Sequence, residues 1–587
     1  MITVDFETHP IIDGSPYSPI PVGVSIKHDN EPSYYYAWGH PTNNNCSRDR
    51  AADTLSQIWD TNDKIICHNS KFDLRVALEH FGLPVPNPNR IIDTMIMMYL
   101  IDPREASLSL KPLTEKYCGM PPEEQDNLNK WLSSRGFKPG QDIYKAPGDI
   151  VGIYAESDTD RTYALYHTLA PRIFETPIIE GQQNILDAFN REMQILPIVI
   201  DMEQRGINLS PDLGDIYHRE KKAFELLDLQ LLAYGNGAKP GSKAMFDTFR
   251  KKGYIDESKI QYTDKGNPRY GKEFIEGLIA DKNLSSLLRQ RSKLQKLVGT
   301  YLKPLYESGL KYNNKFYPYY NQTRSEDDYG TRTGRFSSNI QQLPKQHDGT
   351  TFHTRAVIVP SQGKVLAKRD YSGQELRVAA HYAEGSILKA YQQNPKVDIH
   401  SFVNEIIYQK TGLVLGRAPV KEINFLKLYG GGPQKLADRN NISLSTAQSF
   451  FKAYDEAIPE FKQLMKDIEK LSRSGKKIRT WGGRSYDVEP SVNGRQFYYK
   501  LGNVLIQGSS ADMTKESMVR YWYHPDRKGD LVMTVHDELV IECYPNQVET
   551  EMKLLKECME GIPGWDVPLH SDGSIGYNFS DMEPYND

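Results

Sequence analysis

A chain of 587 residues is far longer than one hydrophobic core organises, so it must divide into about two to four folding units. One division falls near residue 175, where Pro171 and Pro177 flank the end of a mixed α/β pattern. Ahead of it, Ile2–Thr8, Val22–Lys27, Ser33–Trp38 and Lys64–His68 read as strands, and Lys71–Phe81 and Thr94–Leu100 as helices. Beyond it, Gln183 to about Arg250 reads as a long helical stretch. Leu287–Tyr306 reads as an amphipathic helix with Leu294, Leu297, Val298, Tyr301 and Leu305 on one stripe. Lys364–Asp370 reads as a strand leading into a helix through Glu384, and helices dominate from His400 to Lys470. Leu531–His536 and Leu539–Glu542 read as a hairpin whose two-residue turn is Asp537-Glu538.

The net charge of −4 announces no polyanionic partner, so a nucleic-acid surface would have to come from local clustering. One such cluster runs from Arg289 to Lys315, where every charged side chain but Glu307 is basic, a one-sided sign that suits a phosphate backbone. The cysteines, Cys46, Cys67, Cys118, Cys543 and Cys558, lack C-x-x-C spacing, which argues against zinc and disulfides and for a reducing compartment. No apolar run is long enough to span a membrane, and Asp5 and Glu7 stand where a signal peptide needs an apolar run. A cytoplasmic location is expected.

Asp5 and Glu7 lie two apart on a strand, so both carboxylates leave the same face. His68-Asn69-Ser70-Lys71-Phe72-Asp73 follows another strand, and Tyr154 and Asp158 fall one turn apart on a helix. Four acids and a tyrosine in three separated segments are what metal-assisted phosphoester hydrolysis needs: carboxylates to hold ions and a polar group to orient water.

A second set lies in the other half. Asp370 ends a strand and Asp537 sits in a hairpin turn; singly, either could be structural. Between them Arg417, Lys421, Phe425 and Tyr429 recur every four residues on one helix face, started by Pro419 and ended by the glycines from 430 to 432. That row reads either as a solvated basic turn running into a core aromatic stripe, or as two cations that grip a triphosphate with a ring to stack on its base.

The first half, about residues 1–175, resembles the DnaQ-like 3′→5′ exonucleases: D-F-E-T, H-N-S-K-F-D and Y-A-E-S-D match their three motifs, and Asp93-Thr94 a recurrent segment. The resemblance implies that Asp5, Glu7, Asp73 and Asp158 bind metal, that Tyr154 orients the water and that Asn69 helps hold the strand end. The rest, about 185–587, resembles family-A, polymerase-I-like DNA polymerases. D-Y-S-G-Q-E-L-R (370–377), R-A-P-V-K-E-I-N-F-L-K-L-Y-G (417–430) and V-H-D-E-L-V (535–540) match motifs A, B and C. T-G-R-F-S-S, N-I-Q-Q-L-P, K-L-V-G-T-Y and L-G-N-V-L-I-Q-G-S-S-A-D match flanking segments.

By that resemblance Asp370, Asp537 and the Tyr371 carbonyl hold metal. Arg417, Lys421 and His400 meet the triphosphate, Glu375 excludes the 2′-hydroxyl, Phe425 stacks near the nucleotide and Tyr429 closes the pocket. Arg335, Asn503, Gln507 and His536 touch primer–template DNA. The implied fold is an α/β exonuclease domain with an RNase H-like mixed sheet, followed by an α+β right-hand polymerase domain. Its thumb and palm entry would span about 185–330, its palm 331–400 and 500–587, and its fingers 401–499.

The implied cofactors are two Mg²⁺ per active site, with Mn²⁺ as a substitute, and the partners are primer–template DNA and dNTPs. A monomer in phage DNA replication is expected, with no 5′-nuclease domain and no helicase or clamp specified. Two departures stand out: Gly373-Gln374 replaces the usual Gln-Ile of motif A, and Leu426 the usual Gly of motif B. Both leave the chemistry intact and open the question of base selectivity.

Overall fold

The strand β1 (Ile2–Thr8) is buried along most of its length because it lies at the centre of a mixed sheet. It pairs antiparallel with β2 (Pro21–His28) and parallel with β4 (Ile65–Cys67); β3 (Tyr34–Ala37) and β5 (Ile91–Asp93) complete the order β3-β2-β1-β4-β5. The helix Ser70–Phe81 packs on β1, β4 and β5, and the long helix Gly148–Phe174 on β1, β2 and β3. The expected strands and helices are present to within a few residues. β5 was not expected: its three residues are too short to show a period.

In this computed structural model the described residues are all but 13, 257–259, 261, 263–265, 267–278, 280, 325–329, 345–351, 490–495 and 587. Among the described residues no helix is long and apolar enough to cross a membrane, and all five cysteines are free.

The helix Ile185–Arg205 joins two cores. Ile185, Ala188, Phe189, Met193, Leu196 and Ile200 pack into the N-terminal core, while Ile195, Ile198, Val199 and Met202 enter the second. Because it faces two cores, the helix is buried along most of its length, Arg191, Glu192 and Glu203 included. The long helical stretch expected to Arg250 is in fact broken: Gly206, at φ 65°, ends this helix, a short strand Ile207–Leu209 follows, and the helices Leu213–Tyr234 and Lys243–Lys251 come after. Three strand residues leave too weak a period to interrupt a helical pattern.

The helix expected over Leu287–Tyr306 runs from Lys282 to Lys311 with a π-helical turn at Leu297–Leu302. There the Lys303 amide reaches Val298 O. Pro304 has no amide for the next helical bond, so the widened turn absorbs the mismatch.

The second sheet is antiparallel, in the order β7-β8-β6-β9-β10: β6 (Val365–Tyr371) at its centre, β7 (Asp530–Val535) and β8 (Glu538–Cys543) on one side, β9 (Ser571–Gly576) and β10 (Met582–Tyr585) on the other. Val535 pairs with Glu538, so the β7–β8 turn is His536-Asp537, one residue earlier than the expected Asp537-Glu538. His536 has φ 60°, the positive value such a tight hairpin demands at its first turn position. The shift buries Glu538, whose carboxylate takes Arg355 at 3.2 Å and Lys368 at 2.8 Å. Helices from Ile399 to Arg473 share one core with β6 and β8, and the long helix Tyr499–Trp522 packs against Ile185–Arg205 and Gln374–Ala383.

Candidate active sites

In the N-terminal domain the pleat of β1 puts Asp5 and Glu7 on one face, and Gly148–Phe174 lays Asp158 against them. Ligand atoms of Asp5, Glu7 and Asp158 lie within 4.8 Å of one another, the one such group of three or more potential metal ligands among the described residues. Burial, then the charge of Asp158, raises Asp5 to about 7, with Lys111 pulling the other way. Burial and the neighbouring acids also push Glu7 well up, and burial raises Asp158. Asp158 Oδ1 is buried without a hydrogen-bond partner. Crowded carboxylates with an unsatisfied oxygen fit a divalent cation, which would offset their repulsion.

Asp73 lies beside this cluster and outside its tightest group. Its Oδ1 accepts from the Phe6 amide at 3.1 Å, and burial followed by the Asp5 charge holds its carboxyl well above the usual range. Asn69 caps its helix through a left-handed backbone at φ 68°, and lines a cleft of about 380 Å³ with Tyr17, Lys71, Phe72 and Tyr319. The loop around Asn69 is fixed from behind. Asp93 accepts from the amides of Asn69 (3.2 Å), Ser70 (2.7 Å), Met95 (2.9 Å) and Ile96 (3.2 Å), so this acid is structural.

Lys111 escaped the sequence reading. Its ammonium binds Asp158 and lies 3.1 Å from the Tyr154 hydroxyl, 4.3 Å from the centre of that ring. A lone lysine in S-L-K-P-L carries no motif signal; only the fold brings it to the acids.

In the second domain Asp370 pairs with Glu538 one residue before the end of β6, and the Tyr371 amide at that end donates to Asp537 O at 3.2 Å. Strand end and turn are thereby locked together. Alternation sends the Tyr371 side chain the other way, into the core, where its hydroxyl meets Ser517 at 2.8 Å and Met559 O at 2.6 Å. Gly373, at φ 63°, caps the next helix in a left-handed conformation that suits glycine, and the buried Gln374 amide donates to Ser510 O (3.2 Å) and Thr514 Oγ1 (3.0 Å). The Gln374 of the motif A departure is thus held by hydrogen bonds to the helix Tyr499–Trp522.

Glu375 is a meeting point. Its two carboxylate oxygens accept from the Arg335 guanidinium and the Tyr429 hydroxyl. The rings of Phe425 and Tyr429 stack at 6.1 Å, and His400 lies 6.3 Å from Phe425. The motif B helix runs Arg417–Leu428 with Tyr429 as its C-cap. Arg417 holds Asp398 at 2.7 Å; burial raises that carboxyl, but the hydrogen bonds from Arg417 and Ser401 outweigh it and bring it to about 2. Lys421 is exposed one turn on. Leu426 packs into the core, under the turn where Gly431 N reaches Leu426 O at 2.6 Å.

Asn424, which the sequence reading passed over, orients His400. Tyr454 donates to Asn424 Oδ1 at 2.5 Å, so the amide Nδ2 faces His400 Nδ1 at 2.9 Å and donates to it. The imidazole is then neutral with its proton on Nε2. Burial first, then Arg417 and Lys421 against Asp398, lower it to about 4. Asn503 and Gln507 sit one turn apart on Tyr499–Trp522, and His536 lines a small pocket with Gly334, Arg335, Phe336 and Lys515.

The family model for "DNA polymerase family A" matches residues 237–581, more than half of the chain. The chain belongs to DNA polymerase family A. A second model, described as "3'-5' exonuclease", matches residues 1–173 of this family-A polymerase. It is therefore a DNA polymerase with an N-terminal 3′→5′ exonuclease domain. Among its relatives, a "DNA polymerase DpoZ" of Acinetobacter phage SH-Ab 15497 is 26% identical over 557 residues, covering 87% of each chain. A "DNA polymerase I" of Synechocystis sp. is 27% identical over 556 residues, 88% of this chain and 53% of that protein. In fold, the POL domain of a Pol1 from M. smegmatis, solved in complex with DNA primer-template and dNTP, superposes with a TM-score of 0.77 at 20% identity, covering 99% of this polymerase and 96% of that chain.

Proposed function

We propose that this polymerase extends the 3′ end of a DNA primer with dNTPs at Asp370 and Asp537, and removes mispaired ends at Asp5, Glu7, Asp73 and Asp158. The observation that supports the reading is that Asp5 and Glu7 lie on one sheet, with Asp158 against them, while Asp370 and the turn of Asp537 lie on another. The exonuclease domain would span residues 1–175 and the polymerase domain 185–587, with thumb and palm entry to about 330, palm at 331–400 and 500–587 and fingers at 401–499.

Mg²⁺, two ions at each site with Mn²⁺ able to substitute, would supply Lewis-acid polarisation and activation of the attacking oxygen when bound. The remaining work falls to the chain. Asp370, Asp537 and the Tyr371 carbonyl would hold the cations. Arg417 exchanges Asp398 for a triphosphate oxygen, while Lys421 and the His400 Nε2–H approach the same group. Phe425 and Tyr429 bound the base, and Glu375, tethered by Arg335 and Tyr429, crowds the ribose 2′ position. Arg335, Asn503, Gln507 and His536 meet the primer–template duplex. In the other site Tyr154 orients the water and Asn69 holds the strand end. We place the protein in the cytoplasm of a phage-infected host, as a monomer in DNA replication.

The test is primer extension on a defined template by Asp537→Asn. Extension is expected to fall by more than about 1,000-fold, as for removal of a group acting in the transition state. Undiminished extension would remove Asp537 from the site.

A further inference from the structure

The loop that carries Arg335 is held by the exonuclease domain. Tyr99, on the helix Thr94–Ile101, is 2% exposed. Its hydroxyl donates to Thr331 O at 2.7 Å and accepts from the Gly334 amide at 2.9 Å. Thr331 Oγ1 closes the loop by donating to Arg335 O at 3.0 Å. On the other side lies Arg484, fixed by Glu192 and by Asp512 at 2.7 Å. Gly334 passes between them at φ 86°, and a Cβ there would come within 2.6 Å of Arg484 Nε. The next residue, Arg335, meets Glu375, which also holds Tyr429.

We infer that Tyr99 is a positioning residue for the polymerase site: an exonuclease-domain hydroxyl sets the Thr331–Phe336 loop, and through it Arg335 and the sugar-excluding Glu375. The inference rests on the proposed roles of Arg335 and Glu375. Its chemistry is simple. Phenylalanine fills the same space but offers neither donor nor acceptor, so Tyr99→Phe leaves the Thr331 carbonyl and the buried Gly334 amide without this partner. A buried amide without a partner drives a local shift to find one. Burial keeps the Tyr99 hydroxyl protonated, with its pKa pushed up to about 12, so both bonds persist at any working pH.

The experiment compares wild type, Tyr99→Phe, Arg335→Ala and the double variant in three assays: dNTP kcat/KM on a primed template, the dNTP-to-rNTP discrimination ratio, and digestion of single-stranded DNA. Tyr99→Phe is expected to lower dNTP kcat/KM by about tenfold, the scale of one or two lost hydrogen bonds, mainly through KM. Discrimination against rNTPs is expected to relax. Because discrimination is a ratio, any loss of folded protein cancels. Single-stranded digestion is expected to be unchanged although the substitution lies in the exonuclease domain. In the Arg335→Ala background, Tyr99→Phe is expected to add nothing.

Independent, multiplying effects of the two substitutions would overturn the inference. So would an unchanged discrimination ratio in Tyr99→Phe, or a loss of single-stranded digestion equal to the loss of extension. If Arg335→Ala alone left extension and discrimination intact, the role proposed for Arg335 would fall instead, and Tyr99 with it.

Discussion

The Tyr371 amide donates to the carbonyl of Asp537 at 3.2 Å, joining the end of β6 to the β7–β8 turn. That bond ties together the backbones that carry Asp370 and Asp537, the acids proposed for extension, and it depends on a turn in which His536 takes φ 60°. A non-glycine residue pays roughly 1–2 kcal/mol for a left-handed backbone, so His536→Gly is expected to keep or slightly raise stability while weakening primer–template binding. Thermal melting alongside a DNA-binding titration checks this. Reduced stability with unchanged DNA affinity would show that the His536 side chain serves the fold alone.

Glu375 restrains Arg335 and Tyr429 at once. Glu375→Ala is expected to raise rNTP incorporation relative to dNTP and to raise KM for dNTP, since both partners lose their anchor. Glu375→Gln, which keeps an acceptor, is expected to fall between. Unchanged sugar discrimination in Glu375→Ala would discard the gate.

His400 is lowered to about 4 and faces Asp398, Arg417, Lys421, Asn424 and Phe425. With its folded pKa below the ordinary value near 6.5, the ring stays neutral from pH 5 to 8, and KM for dNTP is expected to lack an ionisation near 6.5. Asn424→Asp places an acceptor where an amide donated, which raises the His400 pKa. A new pH dependence of KM in that range is expected for the variant, with tighter binding on the acid side where the imidazolium forms. A flat profile in the variant would deny the Asn424–His400 contact.

Lys111 binds Asp158 and lowers the pKa values of Asp5 and Glu7 as well. Lys111→Met is expected to destabilise the chelator-treated protein and to enlarge the gain in melting temperature on adding Mg²⁺, because bound cation then relieves more repulsion. The same Mg²⁺ gain in variant and wild type would mean that Lys111 does not share the acids' cation-binding space.

How far the sequence led depended on whether a feature was local. Asp5 and Glu7 declared a shared face through strand alternation, and Arg417 to Tyr429 through helical spacing, because those periods are fixed by backbone geometry. The hairpin was legible and its register was not: Val535 and Glu538 pair because Glu538 is drawn inward by Arg355 and Lys368, which are distant in sequence. Lys111, Tyr99 and Asn424 stayed hidden for the same reason, since each acts through a partner far along the chain. The helix Ile185–Arg205 was legible only as part of a long helical stretch; that its two apolar stripes serve two cores required the fold.

The most direct measurement sets Asp370→Ala and Asp73→Ala side by side in primer extension and in 3′→5′ digestion of the same labelled DNA. Asp370→Ala is expected to abolish extension and leave digestion, and Asp73→Ala to do the reverse. Loss of both activities in either folded variant would contradict two separate sites.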